Sequence, residues 1–129
     1  MLLKVYEAYS LIRFLGEHYV RFLKGKKPVF TYARGFILLL ALYFSGGSAG
    51  SISYLAEKLG MDVKICHITV HKLRELGLVS IKKHSRYAIV SLKPVAEKAL
   101  EKMERKKDPL LLTAKSHLKE KYNYRFADL

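Results

Sequence analysis

Lys64, His67, Ile68, His71 and Arg74 recur at spacings of three and four along one short run, with Lys72 at its edge. On a helix those spacings put the side chains on one face. A cation on such a face can meet guanine O6 and N7, and an aliphatic group can touch a thymine methyl. The chemistry implied is recognition of a polyanion. Across 64–93 the single acid is Glu75, against Lys64, Lys72, Arg74, Lys82, Lys83, Arg86 and Lys93. An ordinary solvated helix pairs acids with bases at these positions.

Other chemistry is less complete. Cys66, His67 and His71 invite a metal, since histidines at i and i+4 share a helical face. Two imidazoles without a carboxylate or a second thiol make an incomplete set, and Cys66 falls on the opposite side. His18, His84 and His117 are scattered. There is no Gly-x-Ser-x-Gly, no acid dyad and no Cys/His pair in a loop. Neither an enzyme nor a metal or other cofactor is expected.

The chain has 129 residues, half of them hydrophobic, which suits one domain with a real core. Its formal net charge of +13 calls for an acidic partner, nucleic acid before an anionic membrane. One cysteine permits no internal disulfide and fits a reducing compartment. The N-terminus, MLLKVYEAYS, lacks a secretory layout. The longest apolar run, Phe36 to Phe44, is about half of what a spanning helix needs. A cytoplasmic location without a membrane partner is expected.

These residues need a scaffold. Leu2 to Leu23 shows a helical stripe of Leu2, Val5, Tyr6, Tyr9, Ile12, Leu15, Tyr19, Val20 and Leu23, widened by Leu3, Phe14 and Phe22. The surplus would suit a second copy of the chain. Thr31 to Phe44 reads as a buried helix, and Ser45 to Gly50 as a flexible connector. Ser51 suits an N-cap, with Ile52, Leu55, Ala56 and Leu59 facing the core and Gly60 closing the helix. Asp62 caps the next helix, Val63 to Leu76, whose inner side is Cys66, Thr69, Val70 and Leu73. Val79–His84 and Tyr87–Leu92 alternate as strands about a Ser85-Arg86 turn. Helices follow over Val95–Lys107 and Leu110–Tyr122, the latter with Leu110, Leu111, Ala114 and Leu118 apolar. The expected fold is mostly α with a small β-ribbon (α+β), a winged helix-turn-helix with N- and C-terminal dimerisation helices. It forms a single unit: residues 1–27 for pairing, 28–93 as the core, 94–129 as C-terminal helices.

Leu55-Ala56-Glu57-Lys58-Leu59-Gly60, Leu73-Arg74-Glu75-Leu76-Gly77-Leu78-Val79 and Arg86-Tyr87-Ala88-Ile89-Val90-Ser91-Leu92 together resemble winged-helix regulators of the MarR type. ArsR-like and other small regulators share these pieces. The resemblance covers roughly the middle third of the chain. It implies that the Val63–Leu76 helix enters the major groove of double-stranded DNA.

On that reading His67, Ile68 and His71 meet base edges, while Lys64, Lys72 and Arg74 meet phosphates or bases. Lys82, Lys83, His84 and Arg86 on the ribbon reach backbone or minor groove. A homodimer is expected, because two reading helices a helical turn apart gain specificity. The alternative is a winged helix that docks another protein within a larger nucleic-acid machine, with the Ile68 face as the docking patch. RNA is a weaker fit, with little aromatic surface on a sheet. The aromatic content leaves room for a small-molecule effector, but no spacing marks a pocket.

Overall fold

The computed structural model describes residues 3–121, apart from the side chains of His84, Tyr87 and Lys121. Among them the elements run α1 (Val5–Leu23), α2 (Phe30–Phe44), β1 (Ser48–Ala49), α3 (Ile52–Leu59) and α4 (Val63–Glu75). Then come β2 (Val79–His84), β3 (Tyr87–Leu92), α5 (Pro94–Arg105) and α6 (Pro109–Lys121). The architecture is mostly α with one small antiparallel sheet, in the order β1-β3-β2. No helix among the described residues is long and apolar enough to cross a membrane.

The middle of the domain is α2. Its sequence is apolar nearly all round, and Ala33 and every residue of 35–42 are buried. It packs on α1, α4 and α6. Two helices approach closely at Gly35, where a Cβ would sit 3.1 Å from Cδ2 of Leu73 in α4. Glycine there lets the Leu73 side chain lie directly against the α2 backbone.

The expected pair of short helices forms as its local chemistry dictates. The Ser51 hydroxyl accepts the Tyr54 N–H at 2.9 Å. Gly60 closes α3 in the left-handed region, φ +60°. Asp62 Oδ1 then accepts the N–H groups of Lys64 at 2.9 Å and Ile65 at 3.3 Å, starting α4. Ile52, Leu55, Ala56 and Leu59 are buried on α3, and Cys66, Thr69, Val70 and Leu73 on α4. The Cys66 thiol donates to the Ile52 carbonyl, 3.6 Å away, and so links the two helices.

Burial pushes the Cys66 thiol up to about 11 from 9.0. The folded chain therefore holds this proton where the unfolded chain releases it. The resulting stability is complete below pH 9 and is lost as pH rises toward 11. Chemical unfolding at pH 8 and pH 10.5 should show the drop, and Cys66→Ala should shrink it. Iodoacetamide at pH 8 should label Cys66 only in denaturant.

Three expectations need correction. The Ser45–Gly50 connector is not merely flexible: Ser48 pairs with Ser91 and Ala49 with Val90, adding a third strand to the ribbon. The Leu92 N–H also donates to the Gly47 carbonyl at 2.8 Å. The stripe on α1 is narrower than its apolar content, with Ala8, Ile12, Leu15 and Tyr19 buried while Val5, Tyr6 and Leu23 are exposed. Leu111, Ala114 and Leu118 of α6 are buried within the chain, where α6 packs on α1, α2 and α5, so these residues do not face a second copy. Asp108 anchors that corner. Its Oδ2 meets Arg13 Nη1 at 3.3 Å, and its Oδ1 accepts the Leu110 N–H at 3.0 Å. Tyr122, the expected end of the last helix, and the tail 123–129, which carries no regular pattern in the sequence, lie outside the described residues.

Candidate nucleic-acid interface

The outer face of α4 is built by exclusion. With Cys66, Thr69, Val70 and Leu73 buried, Lys64, His67, Ile68, His71 and Arg74 must point outward, and all five are exposed. Ile68 is 62% exposed, the most exposed large apolar group on this helix. The rings of His67 and His71 stack one turn apart, centroids 6.2 Å and planes 17° apart.

Lys72 differs from its neighbours. It is half-buried and its Nζ lies 3.8 Å from Glu75 Oε2. The ion pair lowers its availability to an external anion. Glu75 also places a carboxylate at the C-terminal end of this face.

The ribbon divides its cations by strand geometry. Successive side chains of a strand point to opposite faces. Lys83 shares the face of buried Val79 and half-buried Ile81, and is exposed. Lys82 lies on the other face. At the turn Ser85 has φ +52°, and Arg86 follows, exposed. The side chain of His84 lies outside the described residues; its backbone pairs with Tyr87.

Two concavities flank His67. A cleft of about 290 Å³ is lined by Ser51, Ser53, His67, Lys83, Ser85 and Arg86, together with Ile52 and Ala88. It joins three elements: the start of α3, the outer face of α4 and the ribbon turn. Three hydroxyls, an imidazole and two cations converge there without a carboxylate, a set suited to phosphate oxygens. A broader groove of about 610 Å³ on the other side runs along His67, Ile68, His71, Lys72 and Glu75 to Val29, Thr31 and Tyr32. His67 is the one residue shared by the two.

Of the residues singled out from the sequence, His67, Lys83 and Arg86 are brought together, and His67, Ile68, His71 and Lys72 share the groove. Lys64, Arg74 and Lys82 are exposed but line neither concavity. Ser53 and Ser85 were not foreseen, because an exposed serine carries no periodic signal. Ser51 was foreseen as a cap only. Among the described residues no cluster of three or more His, Cys, Asp or Glu could hold a metal ion. His18 is buried, with Nδ1 accepting the Val29 N–H at 3.2 Å, and serves packing with Phe14 and Tyr32.

Comparison of the chain with protein-family models, with curated proteins and with solved structures finds no match. The class defined by coordinates is a small, mostly helical domain with a three-stranded antiparallel sheet.

Proposed function

We propose that this protein binds double-stranded DNA as a homodimer and regulates transcription. In this reading α3, α4 and the β2–β3 ribbon act as a winged helix-turn-helix of the MarR or a related type. The observation that carries it is the meeting at His67 of the outer face of α4 with the cationic cleft under the ribbon turn. A helix lying in the major groove then offers His67, Ile68 and His71 to base edges. Lys83, Arg86, Ser51, Ser53 and Ser85 take the adjoining phosphates. The start of α4, capped by Asp62 and with no acid in its first turn, faces the duplex first, while the Glu75 end is held back. Exposed Val5, Tyr6, Phe14 and Leu23 leave α1 as the surface for pairing two copies.

Selection of bound duplexes from a random pool tests this directly. A palindromic winner gives the site, and a half-site spacing near one helical turn gives the dimer. Absence of duplex binding at low ionic strength would overturn the proposal. His71→Gln should keep overall affinity within a few fold while changing the winning sequence, because it alters a base-edge group and leaves the phosphate cleft intact. An unchanged winner removes His71 from base reading.

One observation favours a second reading. The groove beside α4 sets the aliphatic Ile68 next to Val29 and Tyr32, which would suit an apolar peptide segment better than a phosphate chain. A protein-docking winged helix would bind random duplex weakly and without selection. Gel shift beside pull-down separates the two.

A further inference from the structure

A third cavity, of about 260 Å³, lies between α1, α2 and the α3–α4 turn. It shares no residue with the cleft or the groove. Its walls are more apolar than polar, with Phe22, Phe30, Ile37, Leu59, Met61 and Ile65 among the apolar groups. Its size falls just below the range for drug-sized ligands, which starts at about 300 Å³. A compact occupant is required.

Two charges of opposite sign line this apolar space, Arg34 from α2 and Asp62 from the α3–α4 turn. They do not pair. Arg13 pairs with Asp108 and Lys72 with Glu75, and neither Arg34 nor Asp62 shares in such a pair among the described residues. The guanidinium of Arg34 sits over the Phe30 ring, 5.1 Å from its centre. Asp62 Oδ1 is engaged by the first N–H groups of α4. The carboxylate charge itself meets no cation. Phe22 and Phe30, their rings edge to face at 6.2 Å, stand 37% and 50% exposed at this site. An apolar group lodged there would cover them.

We infer that this cavity binds a small apolar α-amino acid. The α-carboxylate takes Arg34, the α-ammonium takes Asp62, and the side chain lies among the aromatic and aliphatic walls. Only a zwitterion answers both charges. An acid without the amine would bring a second anion toward Asp62. An amine without the acid would bring a second cation toward Arg34. Because Asp62 also caps α4, occupancy acts on the first turn of the proposed reading helix. That consequence rests on the DNA-binding reading, whereas binding of the amino acid does not.

The test uses the full chain, without DNA, so its failure leaves the proposed function standing. Calorimetric titration and thermal melting are run with L-phenylalanine, L-leucine and L-methionine, and with 3-phenylpropionate and phenethylamine as single-charge probes. Expected is saturable binding of at least one amino acid, with melting raised by about 5–10 °C at a hundredfold excess over Kd. The single-charge probes should bind at least tenfold more weakly. Arg34→Gln and Asp62→Asn should each weaken binding at least tenfold. Asn caps a helix as well as Asp, so the second variant keeps α4 and removes only the charge; it decides the matter if Arg34→Gln fails to fold. No saturable binding of any of the three amino acids at millimolar concentration would overturn the proposal. So would equal binding of 3-phenylpropionate, or undiminished binding by Asp62→Asn.

Discussion

The double substitution Lys83→Ala with Arg86→Ala is expected to lower affinity for every duplex by nearly the same factor. Each cation that neutralises a backbone phosphate releases counterions, and contributes about 0.9 to the slope of log affinity against log salt. Losing two should reduce that slope by about 1.8, and affinity at low salt by roughly tenfold to a hundredfold. The sequence preference should not move, since phosphates carry no base identity. Adding Lys82→Ala should change little, because strand alternation puts Lys82 on the far face of the ribbon. Fluorescence anisotropy from low to moderate salt, on a selected and a random duplex, measures all three quantities. An unaltered slope in the double variant would take the ribbon turn out of the interface. A large further loss on removing Lys82 would mean that the opposite ribbon face lies on the duplex.

That distinction between Lys82 and Lys83 shows how far the sequence could be read. Caps at Ser51, Gly60 and Asp62 depend on a few neighbouring residues, so composition and order suffice to place them. The same holds for β2 and β3, whose alternation is local, and for the buried sides of α3 and α4. The strand at Ser48–Ala49 was hidden. Neither residue favours a strand on its own, and the pairing depends on Ser91 and Val90, far along the chain. The ends of α1 were misjudged because an apolar residue beyond the reach of its packing partners looks no different in sequence from one beneath them.

The site was legible as a face but not as a surface with depth. Helical spacing gathers Lys64, His67, Ile68, His71 and Arg74 without reference to any other element. It cannot tell that Lys72 turns to Glu75. Nor can it show that Ser53 and Ser85 are carried to His67 by two different elements. The Arg34–Asp62 cavity is of the same kind. It exists only where α1 and α2 meet the α3–α4 turn.

Leu73→Ala should produce the largest loss of stability among substitutions behind the candidate interface. Leu73 is 1% exposed, and its Cδ2 lies where a Cβ on Gly35 would be 3.1 Å away. Removing the isobutyl group leaves a gap between α2 and α4 that a glycine cannot fill. Such changes cost about 2–5 kcal/mol, a large share of the whole stability of a domain this size. For a chain of 129 residues the melting temperature should fall by roughly 7–18 °C. Arg74→Ala, one residue on but exposed, should leave melting within a degree or two and act on DNA affinity instead. Scanning calorimetry and anisotropy on the pair of variants therefore separate the two sides of α4. If Leu73→Ala melts like the wild type, α4 is not packed on α2 by this side chain, and the outward direction of His67, Ile68 and His71 loses its support. If Arg74→Ala alone lowers melting by as much, the outer face of α4 is holding the fold together.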